Sequence, residues 1–197
     1  MNVADIISGH DADRTAIDSE AGPLTYGALR SLVGETAAGL VDRGVKPRDR
    51  VCLIADTEQA FVVGLMGTLA AGAIVVPLNP ASPAPEAIRQ LSSVAPVAIL
   101  VGRSNLGHAR AVAQGVASVR FVGTPAGLEL DGAEQVAVRG APYSPCEAAA
   151  DDEAALLFTS GTSGDPRAAS LSHGNLLASQ KQLRDTYGSK LDADAKA

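Results

Sequence analysis

The segment around which this chain is organised reads Leu156-Leu157-Phe158-Thr159-Ser160-Gly161-Thr162-Ser163-Gly164-Asp165-Pro166-Arg167, followed by Ala168-Ala169-Ser170-Leu171-Ser172-His173. It begins as a short apolar run, which is typical of a buried strand. Residues of only Thr, Ser and Gly follow, and a hydrophobic core would not select them. A second short run with strand character comes after Arg167. The pattern predicts a buried strand, a polar loop and a returning strand.

The Ser/Thr/Gly loop has the composition of an anion-binding site. Gly161 and Gly164 can adopt positive φ and let the backbone approach a ligand, and successive amide N–H groups in such a turn form an anion-binding nest. Arg167 adds a permanent charge with a fork geometry suited to phosphate, and Pro166 stiffens the exit. Further hydroxyl donors come from Thr159, Ser160, Thr162 and Ser163. The loop is therefore predicted to be a flexible cradle for a polyphosphate.

Two other interpretations fit the loop less well. Ser/Thr/Gly clusters are usually solvated turns or linkers, but here the cluster lies between two strand-like runs and is closed by a cation and a proline. The common P-loop needs Gly-x-x-x-x-Gly-Lys-Ser/Thr leading into a helix. Gly161 and Gly164 are closer than that spacing and no Gly-Lys follows, so kinase or GTPase chemistry is not indicated.

The order Thr-Ser-Gly-Thr-Ser-Gly-x-Pro, with Ser-His-x-Asn downstream, resembles the phosphate-loop signature of the adenylate-forming superfamily. That superfamily includes acyl-CoA synthetases, adenylation domains of peptide synthetases, and luciferases. Two positions depart from it: Arg167 stands where Lys is usual, and Ala168 where Gly is usual. Arg keeps the charge but not the geometry of Lys. The resemblance implies that the residues binding the ATP phosphates are Thr159, Ser160, Gly161, Thr162, Ser163, Gly164 and Arg167.

Residues 1–123 alternate between apolar runs and helical patterns. Strand character is clear at residues 51–55, 73–78, 97–101 and 118–122, and amphipathic or apolar helical segments separate these runs. Thr25 is predicted to cap the first long helix and Gly44 to end it, Asp56 and Gln59 to form a capping box at the next helix, and Pro85 to occupy a first helical turn. This alternation predicts βαβ units, hence an α/β fold with a mostly parallel sheet and helices on both faces. Gly44-Val45-Lys46-Pro47 and Val76-Pro77-Leu78-Asn79-Pro80 also resemble landmarks of the superfamily.

The remaining residues divide into two regions. Glycines and prolines break residues 124–153 into an irregular linker, within which residues 133–139 could form one strand. Residues 154–189 contain the phosphate loop with its flanking strands and a helix from Asn175 to about Tyr187. Full-length members of the superfamily are longer than this chain. The resemblance therefore implies that residues 1–197 are the N-terminal portion of an AMP-binding large domain, and that this portion alone is inactive.

Composition sets outer limits on function. The chain has 197 residues, of which 46% are hydrophobic and 19% charged, as in globular proteins. A net charge of -6 argues against a nucleic-acid partner. We see neither a membrane-spanning run nor the layout of a signal peptide. Cys52 and Cys146 have no metal-ligand spacing and are expected to be reduced thiols of a cytoplasmic protein.

The titratable residues outside the loop suggest no catalytic or metal site. An acidic patch is formed by Glu147, Asp151, Asp152 and Glu153. It is predicted to be a solvated loop rather than a metal site, because no histidine accompanies it. His10 and His108 are expected at the surface. His173 falls on the motif, and we expect it to cap or pack the last helix rather than to do chemistry.

The resemblance implies a two-step reaction. A carboxylate attacks the α-phosphate of ATP, pyrophosphate leaves, and the acyl group of the adenylate passes to coenzyme A, with Mg²⁺ assisting. Within the superfamily, the resemblance points most closely to a fatty-acid–CoA ligase, whose partner would be a small-molecule carboxylic acid substrate. Self-association through an unpaired strand edge is a further expectation. Three alternatives stay open: loading of a carrier protein, a non-catalytic nucleotide-binding module, and a flavodoxin-like domain.

Overall fold

The computed structural model describes residues 1–19, 22–56, 59–158 and 166–194. Short elements open the chain: a 3₁₀-helix at Val3–Ile7, then strands β1 (Thr15–Ile17) and β2 (Leu24–Thr25), which pair in antiparallel fashion. The main sheet contains strands β3 (Arg50–Ile54), β4 (Ile74–Pro77), β5 (Ala98–Val101), β6 (Phe121–Pro125), β7 (Glu134–Val136), β8 (Glu153–Phe158) and β9 (Ala168–Ser172).

The strand order of this sheet is β7-β6-β5-β3-β4-β8-β9. All neighbours pair in parallel except β8 and β9, which are antiparallel. The α-helices of the described residues are α1 (Tyr26–Asp42), α2 (Gln59–Ala70), α3 (Ala84–Val94), α4 (Leu106–Gln114) and α5 (His173–Asp194). The expected α/β fold with a mostly parallel sheet is confirmed.

The core lies on both faces of the sheet. Along β3, Val51 and Leu53 join the apolar cluster formed with α1 and α2, whereas Cys52 and Ile54 join the cluster formed with α3 and α4. All four side chains have 0% exposure, and burying a side chain of this size contributes about 1.5–3 kcal/mol. Burial on both faces explains why β3 is a continuous apolar run rather than an alternating one.

Several predicted helix ends are confirmed by their local geometry. The side chain of Thr25 accepts a hydrogen bond from the Ala28 N–H at 3.3 Å and so caps α1. Gly44 follows α1 with φ of +77°, a conformation that glycine adopts without a Cβ penalty. Pro85 lies in the first turn of α3, where its missing N–H costs no helical bond.

Several elements in the second half of the chain differ from the predicted bounds. Strand β7 covers Glu134–Val136, within the possible strand predicted at residues 133–139, and pairs in parallel with β6. Gly123 permits the pairing, because a Cβ at that position would lie 2.7 Å from the Glu134 carbonyl oxygen. Strand β6 begins at Phe121 rather than at Ser118. Helix α5 begins at His173, two residues before the predicted start, and runs to Asp194.

The two side chains predicted to form a capping box at the start of α2, those of Asp56 and Gln59, form hydrogen bonds elsewhere. The Gln59 amide donates to the Gly22 carbonyl at 2.8 Å and to Ser19 Oγ at 3.1 Å. The Asp56 carboxylate accepts from Asn105 at 3.0 Å. Both side chains therefore bind distant segments, because tertiary neighbours offer them donors and acceptors that a local pattern does not reveal.

Candidate functional site

Strands β8 and β9 form an antiparallel hairpin that carries the predicted loop between them. Phe158 lies opposite Ala168 at one end, and Glu153 lies opposite Ser172 at the other. Because β8 runs parallel to β4, it ends at the same edge of the sheet as the other parallel strands. Ligands of open α/β sheets bind at this carboxyl edge. The chain between Phe158 and Ala168 therefore starts and ends where a ligand site is expected.

The structure locates one of the seven residues predicted to bind phosphate. Arg167 is exposed and directly precedes β9, beside the carboxyl end of β8. Among the described residues, no carboxylate forms an ion pair with its guanidinium. The other six predicted residues lie outside the described part of the chain: Thr159, Ser160, Gly161, Thr162, Ser163 and Gly164. The assignment of phosphate-binding residues stays a prediction.

The base of the hairpin is tied by hydrogen bonds. Ser170 Oγ donates to Glu153 Oε1 at 2.6 Å, between the two strands. The Asn175 N–H donates to Ser172 Oγ at 3.1 Å, and the Ser172 N–H donates back to Asn175 Oδ1 at 3.0 Å. This reciprocal pair caps the start of α5. These bonds between Ser172 and Asn175 thus fix the start of α5 relative to the end of the hairpin.

His173 is a buried packing residue at this junction. Its side chain is 3% exposed, and its Nδ1 accepts a hydrogen bond from the Val3 N–H at 3.0 Å. Burial lowers the pKa of its imidazole, although the carboxylates of Asp152 and Asp5 act in the opposite direction. Of the two roles predicted for His173, packing is the one its side chain performs, because Ser172 supplies the cap.

The other two histidines differ from each other. His10 is exposed, as predicted, and its ring stacks on Tyr26 with a centroid separation of 4.1 Å. His108 was expected at the surface but is half-buried on α4. Its Nε2 is buried with no hydrogen-bond partner among the described residues. The surface position predicted for His108 holds only in part, because the polarity of its sequence neighbours does not report the packing of α4 onto the sheet.

Two further polar residues meet at the carboxyl edge. Asp56 follows β3 and Asn105 follows β5, and the Asn105 amide donates to the Asp56 carboxylate at 3.0 Å. Asn105 is 8% exposed, so the bond satisfies a buried amide. The loops approach closely at Gly102, where a Cβ would lie 2.8 Å from Ala55 Cβ. Sequence reasoning missed this pair, although a polar residue soon after each of two buried parallel strands was the available signal.

The acidic patch has structural partners. The Asp152 carboxylate accepts from the Ala149 N–H at 2.8 Å and pairs with Arg48 at 3.4 Å. No three His, Cys, Asp or Glu side chains come together as a metal site in the part of the chain that the structure describes. The described residues thus offer no cluster fitted to Mg²⁺, and no chemical step is assigned to a metal held by them.

None of the helices in residues 1–19, 22–56, 59–158 and 166–194 combines the length and apolar character needed to cross a bilayer.

Known proteins resemble this chain both in sequence and in fold. A feruloyl-CoA synthase of an Amycolatopsis species is 36% identical over 162 residues, which covers 82% of this chain and 31% of that protein. The crystal structure of a putative long-chain-fatty-acid CoA ligase from Rhodopseudomonas palustris CGA009 superposes with a TM-score of 0.81 at 25% identity, covering 95% of this chain and 48% of the other.

An ATP-bound structure of MatB from Rhodopseudomonas palustris superposes with a TM-score of 0.75 at 30% identity, covering 94% of this chain and 38% of the other. The chain spans about a third of the length of the feruloyl-CoA synthase. The sequence profile described as AMP-binding enzyme matches residues 6–195, which is nearly the whole chain. This chain therefore belongs to the family of AMP-binding enzymes.

Proposed function

We propose that the protein carrying this chain joins a carboxylic acid to coenzyme A in an ATP-dependent reaction that proceeds through an acyl-adenylate. The main support is that β8 ends at the carboxyl edge of a parallel sheet, where the sequence continues into the Ser/Thr/Gly segment, and that the exposed Arg167 lies just before β9. Membership of the AMP-binding enzymes and the likeness to acyl-CoA ligases point the same way.

In this proposal the chain contributes the phosphate site of Mg-ATP. Departure of pyrophosphate builds negative charge on the β- and γ-phosphates, and preorganised N–H and hydroxyl donors with a cation stabilise that charge. The donors would be Thr159, Ser160, Gly161, Thr162, Ser163 and Gly164, and the cation would be Arg167. Residues 154–189 would thus act as the phosphate-binding unit of a larger AMP-binding domain.

The acid is proposed at two levels. A carboxylic acid is required by the chemistry, and a fatty acid is the finer proposal made from the sequence. The likeness to a feruloyl-CoA synthase makes an aromatic acid the direct competitor. A cytoplasmic location and self-association stay predictions. Self-association could use the edge of the sheet at β9. Among the described residues β9 pairs only with β8, so the backbone groups on its other side have no partner strand.

The test is acid-dependent ATP–pyrophosphate exchange by a polypeptide that extends this chain to the length of its relatives. We expect exchange with a panel of fatty and aromatic acids to select one class, and CoA-thioester formation with that acid. Thr162→Val with Ser163→Ala should lower the exchange rate by about tenfold or more, because each lost donor costs up to several kcal/mol in the barrier.

Four results would contradict parts of this proposal. Unchanged exchange in the double variant would mean that the segment is a linker. Exchange without thioester formation would favour transfer to a carrier protein, and ATP binding without exchange with any acid would favour a non-catalytic nucleotide-binding module. The 197-residue chain alone is expected to show no exchange, and exchange by it would refute the inactivity that we propose.

A further inference from the structure

The amino-terminal segment, residues 1–8, is held in place by polar contacts. Asn2 is 1% exposed, and its amide donates to the Leu69 carbonyl at 2.7 Å and to the Cys146 carbonyl at 2.9 Å. The ammonium group of Met1 donates to the Ala148 carbonyl at 2.6 Å. The segment thereby joins the end of α2 to the loop that precedes β8.

His173 completes this attachment from the other side. The Val3 N–H donates to its Nδ1 at 3.0 Å, and both residues are buried. An imidazole nitrogen accepts a hydrogen bond only when it carries no proton. The backbone N–H of His173 also donates to the Asp152 carbonyl at 3.0 Å. One residue therefore connects the amino-terminal segment, the entry to β8 and the start of α5.

The groups around His173 act on its protonation in opposite directions. Asp152 from the loop before β8 and Asp5 from the 3₁₀-helix favour the charged imidazolium, whereas the ammonium of Met1 opposes it. Asp152 is itself paired with Arg48 at 3.4 Å. Burial is the largest influence and lowers the pKa, so the imidazole is neutral near pH 7, in agreement with its role as an acceptor.

We propose that His173 is a pH-sensitive latch for the amino-terminal segment. The neutral imidazole holds Val3 through Nδ1. Protonation places an N–H on Nδ1, opposite the N–H of Val3, and leaves two buried donors without an acceptor, which is unfavourable. Residues 1–8 then detach from the entry to β8 and from α5, while the sheet stays folded. The latch is independent of whether the chain binds a nucleotide.

The direction of the pH dependence follows from the lowered pKa. A histidine titrates at about 6.5 when unperturbed, and the folded value here is lower. The stabilisation is fully present above the unperturbed value and is lost as the pH falls through the folded value. Between the unperturbed and the folded value the detached population grows by up to about tenfold for each pH unit, and below the folded value it levels off because both states are then protonated.

The test is amide hydrogen exchange of the 197-residue chain, resolved by residue and corrected for the intrinsic exchange rate. We expect the protection factor of the Val3 amide to fall by about tenfold or more between about pH 7.5 and about pH 5. The Leu53 and Leu100 amides in the sheet should keep their protection. The imidazole nitrogen spectrum at the higher pH should show Nδ1 of His173 unprotonated and Nε2 protonated.

His173→Asn is the informative variant, because its side-chain oxygen can accept from Val3 and does not titrate. It should make the protection of Val3 insensitive to pH, whereas His108→Asn, which replaces a partly buried histidine elsewhere in the chain, should leave the wild-type dependence. Constant Val3 protection in the wild type, equal loss at Leu53, or a proton on Nδ1 at the higher pH would each overturn the latch. The last three readouts use wild-type protein alone, so they remain decisive if His173→Asn does not fold.

Discussion

Gly67 on α2 faces Thr36 on α1 so closely that a Cβ on Gly67 would lie 2.6 Å from Thr36 Cγ2. Both residues are buried, and Thr36 Oγ1 accepts a hydrogen bond from the Ala126 N–H at 2.9 Å. Thr36 cannot turn away without losing that bond. The close contact of the two helices on this face of the sheet therefore depends on the absence of a side chain at position 67.

Replacing Gly67 with alanine should lower the free energy of unfolding by about 1–3 kcal/mol, the usual cost of overpacking a core. Urea titration followed by circular dichroism measures the change. Gly107→Ala is the matched control, because Gly107 lies in α4 with open space around it. That change should stabilise the chain by about 0.5–1 kcal/mol through helix propensity. Equal midpoints for Gly67→Ala and wild type would show that the helices can separate at little cost.

The two cysteines should differ sharply in reactivity. Cys52 lies in β3 with 0% exposure, and burial raises the pKa of its thiol far above the ordinary value. Cys146 is partly exposed in the loop before β8. Since the thiolate is the reactive form, a disulfide reagent should modify Cys146 in the folded chain and Cys52 only after denaturation.

Counting the cysteine thiols that react with the reagent before and after adding guanidinium checks this prediction. Cys146→Ser should remove the fast reaction, whereas Cys52→Ser should leave it. Fast modification of both thiols in native wild-type protein would mean that β3 opens readily to solvent, contrary to its position at the centre of the sheet.

Arg167 should matter for the reaction and not for stability. It is exposed beside the end of β8, so Arg167→Ala should leave the free energy of unfolding within about 0.5 kcal/mol of wild type. If the phosphate proposal is right, the same change lowers ATP–pyrophosphate exchange in the extended polypeptide by about tenfold or more, because a charge facing the leaving group is lost.

Arg167→Lys should recover part of the exchange, since it restores the charge but not the planar donor fork. Arg89→Ala on α3 removes another exposed arginine and should leave exchange unchanged. An Arg167→Ala enzyme with full exchange would remove Arg167 from the site and leave the Ser/Thr/Gly residues to be tested by their own substitutions.

Local patterns predicted most of the fold. The apolar run from Val51 to Ala55, the capping side chain of Thr25 and the stop at Gly44 appear in the structure at the expected places, because each depends on a few neighbouring residues. The parallel sheet followed from the alternation of such runs with helices. The resemblance of residues 158–175 to a superfamily signature pointed to the family to which the sequence profile assigns the chain.

Contacts between distant residues were not predicted. The parallel pairing of β7 with β6 depends on the close approach that Gly123 allows. The bond between Asp56 and Asn105 needs the order in which β3 and β5 lie side by side. The attachment of Val3 to His173 joins residues from opposite ends of the chain. No window of sequence contains either pair.

The sequence by itself determined most of the strands and helices, that the sheet is mostly parallel, and which Ser/Thr/Gly segment is predicted to bind an anion. Only the tertiary structure decided that residues 1–8 close onto the start of α5, that His173 is neutral and buried, and that Arg167 remains open to solvent. The physical reason is that propensity, capping and periodicity act over a few residues, whereas burial and protonation depend on neighbours brought together by folding.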